Sequence, residues 1–240
     1  MAELLEYATA PEVARAAAKD AIDTLRAAIA RHGAAVWVLA GGSSPMAAYR
    51  VIAEEMNDAL DWGRVTVLIG DERLVPVSDP SSNWGSIAPV LFAGSRTARI
   101  QQVAPPIGPD PDETAAGYAR AVSALPSGAR GAPRVDLLWL GVGEDGHTLS
   151  LFPDHPGMAA TESLVIAVRD SPKPPPTRIT LTLHALRDVG RAVILAAGSG
   201  KRNAVRIARQ TGTLPIGAVA SHIESTGGAV VWLVDHAASS

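Results

Sequence analysis

Cysteine is absent from all 240 residues, which excludes disulfides, thiolate metal centres and a thiol nucleophile and suits a reducing, cytoplasmic setting. Nowhere does an apolar run approach the roughly 20 residues that a membrane-spanning helix needs. The stretch Met1 to Pro11 carries Glu3 and Glu6 and lacks the basic region and apolar core of a signal peptide. Neither sign of charge dominates: 21 Lys and Arg against 24 Asp and Glu leave a formal charge of −3. That balance removes the electrostatic case for nucleic acid or an anionic membrane as partner, so any anion site has to be local. The histidines at 32, 147, 155, 184, 222 and 236 lack zinc-like spacing, and no metal is expected. There is no repeat period and no long linker.

What is present is a chain of 47% hydrophobic and 19% charged residues, able to bury a substantial core. Apolar runs at 34–40, 65–69, 135–140, 192–197 and 229–234, interrupted by Thr66 and Asp136 alone, read as buried strands, the first of them as one covered on both faces. Shorter strands are expected at 98–103, 164–168 and 178–183. Helical spacing covers 12–31, opened by Thr9 or Pro11 and closed by Gly33, and 46–56, with a serine as N-cap and Pro45 in first position. Further helices are expected at 85–91, 112–125, 202–209 and 215–222. Alternating strand and helix signals without a composition break predict one doubly wound α/β domain over 1–240, with a mostly parallel sheet of about seven strands.

Ligands of such sheets bind at the carboxyl ends of the strands, and there the unusual residues collect. Gly41-Gly42-Ser43-Ser44-Pro45 follows the run at 34–40; glycine lets backbone approach a ligand, and the free amides of the next helix suit a phosphate. The turn has neither the three spaced glycines of a dinucleotide site nor the lysine of a nucleoside-triphosphate loop, so no cofactor is expected. Asp71-Glu72-Arg73 stands in a loop after the second run; three charges there must face water or line a polar cleft. Lys201 follows Gly198-Ser199-Gly200, and Lys173 and Arg178 flank the stiff segment Pro174-Pro175-Pro176, which holds them near one another. Anion-friendly groups at several strand ends suggest a small phosphorylated ligand. His147, within Gly143-Glu144-Asp145-Gly146-His147, can take a proton from water near neutral pH, and Asp145 could fix its tautomer.

Together with Ser82-Asn83-Trp84 and the continuation Thr148-Leu149-Ser150-Leu151-Phe152-Pro153, these loops resemble, in order and over almost the whole chain, those of the 6-phosphogluconolactonase family. Ser44 stands where threonine is more common before the proline, and Trp84 where many relatives have tyrosine. The resemblance implies a Rossmann-like three-layer α/β/α domain, shared with glucosamine-6-phosphate deaminases, and metal-independent hydrolysis of 6-phospho-D-glucono-1,5-lactone. The deaminases resemble the chain at Asp71, Asp145 and His147 but carry Asn-Glu-Pro where Leu151-Phe152-Pro153 stands here, so their catalytic glutamate is replaced by Phe152.

The expected catalytic set is then His147 as general base, Asp145 as its support and Arg73 or loop amides as oxyanion donors. Gly41, Gly42, Ser43, Ser44, Asp71, Asn83, Lys173, Arg178 and Lys201 are expected to bind substrate, the glycine turn and the three cations holding its phosphate. The partner is a small sugar-phosphate lactone, and the protein is a monomer or a homodimer. Deamination of glucosamine 6-phosphate and non-catalytic sugar-phosphate binding stay open as alternatives.

Overall fold

The computed structural model describes residues 2–160 and 162–239. Its strands are β1 (Glu3–Tyr7), β2 (Ala35–Leu39), β3 (Val65–Ile69), β4 (Asp71–Arg73), β5 (Gln101–Val103), β6 (Leu137–Gly141), β7 (Val165–Val168), β8 (Arg178–Leu181), β9 (Arg191–Ala196) and β10 (Ala229–Asp235). The helices are α1 (Ala10–His32), α2 (Ser43–Glu55), α3 (Asn83–Leu91), α4 (Pro111–Ser123), α5 (Arg202–Thr211), α6 (Pro215–Ser225) and α7 (His236–Ser239).

Seven strands form one sheet in the order β1-β10-β9-β6-β2-β3-β5, and every pairing in it is parallel. Residues of β2 are buried without exception, as a parallel sheet covered by helices on both faces requires. The Rossmann-like α/β/α arrangement is therefore the observed one. The order decides where a ligand goes. From β2 the chain moves outward through β3 to β5 and then returns to the far side of β2 as β6, so the connections diverge between β2 and β6. A crevice opens at such a switch point, outside the carboxyl ends of the strands. Because β9, β6, β2 and β3 are consecutive neighbours, the loops that follow them stand side by side.

Two buried phenols hold the strands where they splay. Tyr49 of α2 both donates to the carbonyl of Ala40 and accepts from its amide, each at 3.0 Å. Tyr118 of α4 does the same for Ile69, at 2.8 and 2.9 Å. Backbone groups that lose their sheet partners at the crevice are thus satisfied by side chains. The Tyr49 ring stacks on Trp139 of β6 at 5.0 Å, coupling the helix to the sheet beneath the opening.

The strand count agrees with expectation, but its membership differs. β1, at the edge, has no continuous apolar run, and three of its five residues are exposed. The two strands near 164–168 and 178–183 leave the main sheet and join β4 in a small antiparallel sheet ordered β4-β8-β7. The Asp71-Glu72-Arg73 segment is thus a strand, not a loop. Helix α2 starts at Ser43 rather than Met46; its cap is Gly42, at φ +101°, and no side chain caps it. Helix α3 starts at Asn83, two residues earlier than the apolar pattern indicates, with Ser82 as N-cap accepting from the Gly85 amide.

Candidate active site

A cleft of about 320 Å³ opens at the carboxyl ends of β9, β6, β2 and β3. Its walls include every residue expected to act or bind except Asp145, which stands behind His147.

The loop after β6 is built around the histidine. The Gly143 amide donates to the His147 carbonyl at 2.8 Å and the Gly146 amide to the Gly143 carbonyl at 2.9 Å, closing the loop on itself. Gly146 is in the left-handed region, φ +80°, where glycine carries no steric penalty. The spacing Gly141-Val142-Gly143-Glu144-Asp145-Gly146 matches a dinucleotide fingerprint, but that motif needs a helix to open directly behind it. Here the chain goes into a tight reversal, in which Thr148 and Leu151 exchange backbone hydrogen bonds of 3.3 and 3.0 Å. Leu149 sits in this reversal at φ +54°, a conformation that costs a branched residue roughly 1–2 kcal/mol. Ser150 anchors it, donating to Asp71 Oδ2 at 2.7 Å.

His147 Nδ1 lies 2.5 Å from Asp145 Oδ1. A carboxylate only accepts, so the proton of the neutral ring sits on Nδ1 and Nε2 is left as the basic nitrogen. Burial pushes the His147 pKa below its ordinary value; Asp145 opposes this and nearby Lys173 reinforces it. The ring is neutral at pH 7 and can accept a proton. Burial also pushes Asp145 upward, but His147 and Lys173 outweigh it and hold the carboxyl below the usual range. Beneath the imidazole lies the fully buried ring of Phe152, with centroids 4.7 Å apart.

β4 sorts its three charges by strand alternation. Asp71 and Arg73 line the cleft. Glu72 points the other way and is buried, accepting from the amides of Asn83 and Trp84 at 2.8 and 2.7 Å and from the Ser82 hydroxyl at 3.1 Å. It anchors the start of α3, which in turn places Asn83. The Asn83 side chain donates to the Asp71 carbonyl at 3.0 Å and lies where a Cβ on Gly41 would be, 2.1 Å from its Oδ1. Glycine at 41 is thus a requirement of close approach. The first amides of α2, with no intrahelical partner, face the same turn.

Lys173 and Arg178 do come together, but not as two free cations. Arg178 is 2% exposed; its Nε donates to the Pro175 carbonyl at 3.0 Å and its Nη2 to those of Lys173 and Pro174 at 2.9 and 3.2 Å. Lys173 Nζ lies 3.2 Å from Asp145 Oδ2. Lys201 is at the start of α5, and Glu144 lies against the neighbouring Gly200, where a Cβ would stand 2.6 Å from Glu144 Oε1. Sequence reasoning passed over two polar side chains of the cleft, Glu144 and Thr148, and the Thr148 hydroxyl is buried without a hydrogen-bond partner. Their place in the histidine loop was the available signal. Among the described residues no group of three or more His, Asp or Glu is disposed to hold a metal ion.

Residues 8–232 match the family model described as glucosamine-6-phosphate isomerases/6-phosphogluconolactonase. The chain belongs to this family. It is 39% identical over 236 residues to a 6-phosphogluconolactonase of Streptomyces coelicolor, covering 95% of this chain and 90% of that protein. The crystal structure of a 6-phosphogluconolactonase from Shewanella baltica superposes with a TM-score of 0.85 at 21% identity, covering 98% of both chains. A monomeric glucosamine-6-phosphate deaminase superposes with a TM-score of 0.74 at 22% identity, covering 98% of both chains. Those two likenesses concern the fold alone, and the fold does not separate the two chemistries. The side chains have to do so; Phe152, packed on the His147 ring and fully buried, is a hydrocarbon without an exchangeable proton.

Proposed function

We propose that the protein hydrolyses 6-phospho-D-glucono-1,5-lactone to 6-phospho-D-gluconate, with His147 as general base. The observation that carries the reading is a neutral imidazole whose Nδ1 is committed to Asp145 and whose ring lines the same cleft as the glycine turn. Nε2 takes a proton from water as its oxygen attacks the lactone carbonyl. The tetrahedral oxyanion is stabilised by Arg73 and loop amides, donors fixed before the charge develops. Collapse breaks the bond to the ring oxygen, which receives the proton back from His147, and the carboxylic acid so formed loses water's second proton to solvent and becomes the carboxylate. The first amides of α2 at Gly42, Ser43 and Ser44, with the Lys201 ammonium, hold the phosphate. Asp71 and Asn83 bound the sugar between the two.

The reading needs no cofactor and is that of a cytoplasmic enzyme of sugar-phosphate metabolism working as one domain. No described helix is long and apolar enough to cross a membrane. The family resemblance gives deamination no support, since the fully buried Phe152 stands where the deaminases carry their catalytic glutamate. The test is acid release from freshly generated 6-phosphogluconolactone, measured above its spontaneous hydrolysis and beside ammonia release from glucosamine 6-phosphate. Acid release alone is expected. Ammonia release alone would replace the reading with deamination, and neither would leave a sugar-phosphate binder.

A further inference from the structure

The side chains around the base close into a ring of contacts. His147 Nδ1 meets Asp145 Oδ1 at 2.5 Å, and Asp145 Oδ2 meets Lys173 Nζ at 3.2 Å. The Lys173 carbonyl accepts from Arg178 Nη2 at 2.9 Å, the Arg178 guanidinium carbon lies 5.5 Å from the centre of the Phe152 ring, and that ring carries the imidazole. The strap bearing Lys173 is fixed at several points. The Ser171 amide donates to the Pro176 carbonyl at 2.9 Å, and the Ser171 hydroxyl exchanges hydrogen bonds with the backbone of Lys173 at 2.9 and 3.2 Å.

We propose that Lys173 is a positioning residue of the base, not a phosphate contact: its ammonium occupies one oxygen of Asp145 and thereby commits the other to His147. The inference rests on the reading of His147 as the base. A carboxylate held on one side can rotate about its Cβ–Cγ bond and present either oxygen; with the amide and Nδ1 of His147 on Oδ1 and the Lys173 ammonium on Oδ2 it has one orientation. The ammonium also offsets part of the Asp145 charge, so the carboxylate aligns the imidazole without holding it protonated. The groups facing His147 are Asp145 from its own loop, Lys173 from the strap, Asp71 from β4 and the Phe152 ring. Of these, Lys173 is the one cation. Arg178 supports it by tying down three successive carbonyls of the strap, and the prolines between them keep that segment stiff.

The test is Lys173→Met, with Lys173→Arg as the conservative variant and Lys173→Gln as a second neutral one should methionine disturb the strap. Two readouts are needed: the pH dependence of kcat/KM on 6-phosphogluconolactone, and the titration of the His147 imidazole by NMR, which does not require turnover. The neutral variants are expected to move the His147 titration and the acid limb upward by about half a pH unit or more, lower kcat several-fold and leave KM within about twofold. Lys173→Arg is expected to return the titration to its original place. A tenfold rise in KM with an unmoved imidazole titration would make Lys173 a phosphate contact and overturn the proposal. If the unaltered protein releases no acid from the lactone, the lactonase reading fails, while the imidazole titration still decides whether Lys173 acts on His147.

Discussion

Gly143 has no side chain where the imidazole of His147 crosses it: an added Cβ would stand 2.0 Å from Nδ1 and 2.4 Å from Asp145 Oδ1. Gly143 is not among the residues at positive φ, so alanine brings no backbone strain there, and its whole effect falls on the pair it displaces. Gly143→Ala is expected to lower kcat at least tenfold, because a base shifted by about an ångström loses its line to the water. Overpacking of this kind costs roughly 1–3 kcal/mol of stability. Steady-state kinetics beside a thermal melt checks both; unchanged kcat would mean that the ring is not held against the glycine.

The neutral state of His147 gives the reaction its pH dependence. Since burial lowers its pKa from the ordinary 6.5, kcat/KM is expected to be level at neutral pH and to fall only below that value. Asp145→Asn removes the group that favours the imidazolium, so the acid limb moves to still lower pH while the plateau drops at least tenfold through loss of the tautomer. Linkage has a definite sign here. A histidine whose folded pKa is depressed contributes stability that is present above the unfolded value and is lost as pH falls through the folded one. His222, also lowered by burial, acts in the same direction. The difference in acid sensitivity between the unaltered protein and His147→Gln, measured by denaturant melts at several pH values, isolates the His147 part.

The main sheet and the glycine loops were legible because their signal is local: five buried runs, each ending in glycine or charge. The small second sheet was not, because β4 is three charged residues long and pairs with β8 more than a hundred positions away. Nothing near Asp71 in the chain says that Glu72 turns aside to anchor α3. The cations show the same division. That Lys173 and Arg178 meet follows from the proline segment between them, but the groups they serve, a carboxylate in the β6 loop and three carbonyls of the strap, are set by packing through space.

Phe152 is a support whose removal should register in both stability and rate. It is fully buried, with His147 at 4.7 Å, His155 edge-on at 6.4 Å and the Arg178 guanidinium at 5.5 Å. Phe152→Leu keeps the site apolar but gives up the ring contacts, at an expected cost of roughly 1–2 kcal/mol and a several-fold lower kcat. Phe152→Glu places a carboxylate in that same enclosed position beside Arg178. It is expected to abolish lactone hydrolysis without creating ammonia release from glucosamine 6-phosphate, because one residue does not rebuild a cleft. Measurable deamination by Phe152→Glu would show that position 152 alone sets the chemistry.

Lys201 tests the other end of the cleft. It lies at the start of α5, after the Gly198 turn whose amide donates to Asp235 at 3.0 Å. No hydrogen bond or ion pair with a carboxylate engages its ammonium among the described contacts, unlike that of Lys173. A cation free to meet a phosphate that is unchanged by the reaction contributes equally to ground state and transition state. Lys201→Met is therefore expected to raise KM about tenfold or more with kcat within about threefold, the pattern of lost uniform binding. Added inorganic phosphate should inhibit this variant less strongly than the unaltered protein, since both ligands lose the same contact. A fall in kcat at constant KM would instead move Lys201 to the reacting end and force the substrate to lie the other way round, with its phosphate toward Arg73.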